Sequence, residues 1–132
     1  MNVLLDTNVL LWMVLDSKRL SRRARQLVTR ASAQGGLSIA SITLWEIAQL
    51  VERGRLPVQG TTSGWLAKLL AGVGVSILEL TPTIAELSTA FGPDFPRDPA
   101  DRIIAATARA HAWPLVTADE RIRSSSLVKT VW

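Results

Sequence analysis

Cysteine is absent from the 132-residue chain, which excludes disulfides and thiolate metal sites. A single histidine leaves too little imidazole for a zinc centre. Tyrosine is absent too and phenylalanine occurs twice, a low aromatic content that argues against an RNA-binding sheet that stacks bases on aromatic rings. Long hydrophobic runs are also lacking. Val9–Leu15 spans seven residues, against the roughly 20 that cross a bilayer. The N-terminus has no positively charged opening and Asp6 interrupts its apolar run, so neither a signal peptide nor a membrane anchor is expected. A cytoplasmic setting fits. Between Asp16 and Glu46 there is no acidic residue, while Lys18, Arg19, Arg22, Arg23, Arg25 and Arg30 all fall there.

What is present suits one compact domain over residues 1–132. Hydrophobic residues make up 48%, enough for a core and too many for disorder. Net charge is +4. The basic segment, Arg22, Arg23 and Arg25 above all, is either a solvated helix face or a track for phosphates. Arg97, Arg102, Arg109, Arg121 and Arg123 form a second basic group late in the chain.

Short apolar runs alternate with helical patterns. Strands are expected at Asn2–Leu5, Leu37–Ala40, Val75–Leu80 and Leu115–Thr117, with a last one within Ser126–Val131. Helices are expected at Thr7–Leu15, from Ser21 to about Ala33, from Ser41 to about Arg53, at Thr61–Leu70, from Thr81–Pro82 to about Phe91, and from Asp98–Pro99 to near His111. A helical turn is expected at Ala118–Ile122. Continuous apolar strands signal a sheet covered on both faces. The expected fold is α/β: a three-layer α/β/α sandwich around a mostly parallel sheet of four to five strands.

Ligands of such sheets bind at the carboxyl ends of the strands. Asp6 directly follows the first strand, Asp119 follows the fourth, and Glu46 lies in the helix after the second. Asp98 and Asp101 open the long helix before the fourth strand. Clustered carboxylates repel unless a cation neutralises them, and a hard ion such as Mg²⁺ or Mn²⁺ prefers oxygen ligands. An acidic site on a basic protein points to metal-assisted cleavage of a phosphodiester. Four of the five acids also have a plainer role, since Asp6, Asp98 and Asp119 stand where a helix cap belongs and Asp101 sits in a capping-box-like place. Glu46 stands mid-helix and caps nothing. Thr7, Asn8 and Thr117 read as hydrogen-bond partners of the carboxylates or as caps, and Arg102 as a phosphate contact or a structural ion pair. Trp12 and Trp45 are expected in the core.

By "LLDTNVLLW", "SIASITLWEIAQLVERGRL" and "RDPADRIIAATARAHAWPLVTADERI", the chain resembles PIN-domain proteins, and within them the ribonuclease toxins of type II toxin–antitoxin systems, the virulence-associated protein C group. The resemblance implies a Mg²⁺- or Mn²⁺-dependent endoribonuclease with the acidic quartet Asp6, Glu46, Asp101 and Asp119. Asp6, Asp101 and Asp119 would ligate the metal, with Glu46 holding its water or acting as base. Asp98 would be an extra acid, and Thr7, Asn8 and Thr117 would support the carboxylates. An RNA substrate, a cognate antitoxin and a homodimer or larger assembly are also implied. The alternatives are a PIN nuclease of RNA processing and a non-catalytic α/β RNA-binding module. A haloacid-dehalogenase-type phosphotransferase fits poorly, since position 8 is Asn where a second Asp is wanted. A receiver domain fits poorly too, since no acidic pair precedes Asp6.

Overall fold

A computed structural model describes all 132 residues. Five strands, β1 (Val3–Leu5), β2 (Leu37–Ala40), β3 (Ser76–Leu78), β4 (Leu115–Val116) and β5 (Thr130–Val131), form one sheet in the order β3-β2-β1-β4-β5. All four pairings are parallel, as between Leu4 and Ser38 and between Leu5 and Val116. The helices are α1 (Thr7–Leu15), α2 (Arg22–Ala33), α3 (Ile42–Glu52), α4 (Thr62–Val73), α5 (Pro82–Ser88), α6 (Pro99–His111) and α7 (Glu120–Arg123).

Side chains alternate across a strand, and β1 feeds two separate cores. Val3 and Leu5 pack with Val9, Leu10, Val28, Ile39 and Ile47 on one face. Leu4 packs with Ile84, Ile104, Ala105, Leu115 and Ile122 on the other. The sheet is thus the middle layer of an α/β/α sandwich, as the sequence predicts, with β1 sealed on both faces. Burying a side chain such as Leu4 or Leu5 contributes roughly 1.5–3 kcal/mol.

The departures from expectation have local causes. β3 is shorter than Val75–Leu80 and, as an edge strand, leaves Ile77 exposed. α4 runs through Gly72 and stops at Gly74, whose φ of +74° is the left-handed value that ends helices. α5 ends at Ser88, not near Phe91, because Phe91 leaves the helical path to enter the core and stack on Phe95 at 4.1 Å. Asn2 lies outside β1 and Thr117 outside β4. The final helical turn begins at Glu120, and a short 3-10 turn at Ser17–Arg19 has no counterpart among the expected elements. Ser41 precedes α3 without a side-chain cap bond, since its own backbone is already helical. Trp45 is exposed rather than core, because the four-residue helical repeat turns Thr43 and Ile47 inward and Trp45 outward. Gly36 is required by contact: a Cβ there would lie 1.7 Å from the Met1 carbonyl oxygen. No helix is long and apolar enough to cross a membrane.

Candidate active site at the carboxyl edge of the sheet

From β1 the chain moves to β2 and β3 on one side, then returns to β4 on the other. Ligand crevices of α/β sheets form at such a reversal, beyond the carboxyl ends of the strands. A cavity of about 570 Å³ lies there. Asp6, Glu46, Asp98, Asp101 and Asp119 all line it, brought together from four places in the chain.

Each acid is held by its own local structure. Asp6 caps α1: Oδ1 accepts from the Thr7 N–H at 2.9 Å, and Oδ2 accepts from the Thr117 hydroxyl at 2.7 Å. The Thr117 oxygen in turn accepts from the Asp119 N–H at 3.1 Å. One hydroxyl therefore ties the end of β1 to the segment after β4. Asp119 caps α7 through the Arg121 and Ile122 N–H groups, and Asp98 caps α6 through the Ala100 N–H. Asp6, Asp98 and Asp119 therefore combine the capping role with a place in the cavity.

Glu46 has a different support. The Thr7 hydroxyl donates to its Oε1. Thr7 has one proton to give, so the contact of 3.0 Å between Thr7 and Thr43 is a donation from Thr43. A relay Thr43–Thr7–Glu46 results, with Thr43 fully buried. Thr43 escapes a sequence reading because a threonine three residues before Glu46 looks like an ordinary helix residue; only folding brings it against Thr7.

The carboxylates disturb one another. Burial pushes the Asp101 carboxyl up to about 7, and the charges of Asp6, Asp98, Glu46 and Asp119 add to the effect. Asp101 accepts no hydrogen bond that would offset it. Asp6 is raised mainly by burial, against the lowering influence of its bonds from Thr117 and Thr7. Glu46 is raised by burial, with the Thr7 bond again opposing. Oxygen atoms of Glu46, Asp98 and Asp101 lie within 4.8 Å of one another. This all-oxygen set, lacking nitrogen and sulfur, matches the preference of a hard divalent ion. Asp6 and Asp119 line the same cavity, and the Asp6 charge acts on Asp101 more strongly than that of any other acid there.

The basic residues singled out in the sequence stand away from the cavity. Arg22, Arg23 and Arg25 lie exposed on α2, and none lines the cavity. Arg25 instead donates to the Ser17 carbonyl at 2.7 Å. Arg102 makes neither a phosphate-ready projection nor an ion pair. It donates to the carbonyls of Pro96 at 2.8 Å, Phe91 at 3.3 Å and Gly92 at 3.5 Å. Arg121 reaches the carbonyls of Asp94 and Phe95, both at 3.4 Å. Together they hold the segment that leads into Asp98. Asn8 lines the cavity without orienting a carboxylate, since its amide makes no hydrogen bond. Arg53 and Arg55 line the cavity instead, together with Gln49 and Trp12. The spacing Glu46, Gln49, Arg53 places these three on one face of α3 and was the signal available for them.

Comparison with known proteins gives a consistent picture. Residues 3–125 match the family model of the PIN domain. The chain is 39% identical to "Ribonuclease VapC22" of Mycobacterium tuberculosis (strain ATCC 25618 / H37Rv) over 132 residues, covering 98% of each protein. Among solved structures, it is similar to a chain of VapBC2 from Rickettsia felis bound to a promoter DNA fragment, with TM-score 0.69 and 18% identity over 99% of this chain and 98% of that one. It is also similar to a chain of DNA-bound VapBC from Salmonella typhimurium, with TM-score 0.68 and 17% identity over 99% and 97%.

Proposed function

The chain belongs to the PIN domain family, and from that premise we propose that it is a divalent-metal-dependent endoribonuclease acting as the toxin of a toxin–antitoxin pair. The observation that carries the chemistry is the convergence of Asp6, Glu46, Asp98, Asp101 and Asp119 on one cavity. The ribonuclease name of the 39%-identical relative supports the substrate class. The similarity to the VapBC chains favours an antitoxin as partner.

In this reading the five carboxylates would hold Mg²⁺ or Mn²⁺ directly or through water. The bound ion would polarise a phosphoryl oxygen and lower the pKa of a coordinated water. The chain's own groups do the rest. Glu46, kept in place by the Thr7 hydroxyl, takes the proton of the attacking water through its carboxylate. Asp6 is fixed at both oxygens by Thr7 and Thr117, so its charge is pre-oriented before substrate arrives. Asp101, free of hydrogen bonds and raised to about 7, would bind such an ion in its deprotonated form.

Cleavage of total RNA in Mg²⁺ or Mn²⁺ tests the proposal, with EDTA and Asp6→Asn as controls. Fragments are expected from the wild type alone, and only with metal. Equal degradation by Asp6→Asn would refute it.

A further inference from the structure

We infer that Arg53, Arg55 and Gln49 form an anion subsite that holds a phosphate of single-stranded RNA next to the carboxylate wall. This deepens the nuclease reading above and rests on it.

α3 carries both halves of the cavity. Glu46, Gln49 and Arg53 follow one another at i, i+3 and i+7, and all three line it. Glu46 and Arg53 are separated by about 10 Å along the helix axis, so Arg53 addresses a neighbouring phosphate rather than the one under attack. The end of the helix sets the second arginine. The Gly54 N–H donates to the Val51 carbonyl at 3.0 Å and the Arg55 N–H to the Leu50 carbonyl at 2.9 Å. That double bond pattern is the Schellman turn, with Gly54 at φ +72° supplying its left-handed residue. The turn keeps Arg55 at the cavity beside Arg53.

Neither arginine is engaged within the protein. The protein's one ion pair is Arg123–Glu120, although five carboxylates line the same cavity as Arg53 and Arg55. Both arginines are exposed, and neither side chain makes a hydrogen bond, nor does the Gln49 amide. Arg102, Arg121 and Arg25 are by contrast bound to carbonyls. Two free guanidinium groups on the rim of an acidic pocket answer a specific need. A phosphodiester approaching five carboxylates is repelled, and one divalent cation does not cancel them. Guanidinium groups bind phosphate through paired, charge-assisted hydrogen bonds, and the amide adds a further donor.

The test compares the full-length wild type with Arg53→Ala/Arg55→Ala, Arg53→Lys/Arg55→Lys and Lys129→Ala. Lys129 is exposed at the amino edge of β4, where its carbonyl accepts from the Leu115 N–H. The probe is a 5′-labelled oligoribonucleotide drawn from a cleaved region. Its cleavage is followed in Mg²⁺ at several salt concentrations, and its binding is measured in the Asp6→Asn background. The alanine pair is expected to raise KM about 10- to 100-fold while leaving kcat within about threefold. The salt dependence of binding should flatten by about 0.7 in log–log slope for each phosphate no longer held. The lysine pair should recover most of the slope, and Lys129→Ala should match wild type. A cleaving wild type whose KM and salt slope survive the alanine pair overturns the inference and leaves the nuclease reading intact. So does an alanine pair that weakens only the binding of a partner protein, which would assign the arginines to a protein carboxylate. A wild type that neither binds nor cleaves RNA overturns both.

Discussion

Neutralising Asp101 should make the metal-free protein more stable, although it removes a candidate ligand. The carboxyl is raised from its ordinary 3.8 to about 7 by burial and by four neighbouring acids. Each tenfold change in proton affinity is worth about 1.36 kcal/mol, so charging Asp101 in place opposes folding by about 4 kcal/mol before screening. The side chain is only half-buried, and solvent reduces the figure to about 2 kcal/mol. A midpoint raised on folding contributes stability that is complete below the unfolded value and lost as pH rises through the folded one. Asp101→Asn should therefore melt about 7 °C above wild type at pH 8 in EDTA, using the unfolding entropy usual for a domain of this length. The gap should fall to about half at pH 5.5 and nearly vanish at pH 4. Saturating Mg²⁺ should reverse the order. A hundredfold excess over Kd stabilises the wild type by about 2.7 kcal/mol, whereas the variant gains less. Scanning calorimetry across that pH series, with and without Mg²⁺, decides it. A variant no more stable than wild type at pH 8 in EDTA, or a gap unchanged with pH, would refute the reasoning.

Two further outcomes are expected. Thr43→Val removes the buried end of the relay to Glu46 and should destabilise the fold by about 1 kcal/mol; weaker support from Thr7 should also move the acidic limb of the pH–rate profile upward, and an unmoved limb would detach Thr43 from Glu46. Gly36→Ala places a methyl on the Met1 carbonyl and should lower stability to urea by about 1–3 kcal/mol, unless the N-terminal residue swings away freely, in which case the midpoint stays where it was.

The strand ends and their acids were legible because an apolar run followed at once by a carboxylate is an arrangement with few physical explanations. Asp6 after β1 and Asp119 after β4 needed only chain direction. Asp98 was harder: a cap before Pro99 accounts for it fully, and only the packing of α6 beside α3 shows that it also lines the cavity. Thr43 was hidden for a related reason. A threonine on a helix is locally ordinary, and this one acquires its meaning from Thr7, far away in sequence. β3 was overextended because Val75–Leu80 has the apolarity of a strand, yet an edge position gives it only one neighbour to pair with.

The hydrogen bonds by which Arg102 and Arg121 grip Phe91–Pro96 all end on main-chain oxygens, which every residue type possesses. Outside the core pair Phe91 and Phe95, the strap is thus tolerant of substitution and sensitive to length. Residues such as Pro93 are free to change, whereas deleting one would slide each acceptor past its guanidinium and carry Asp98 off with it.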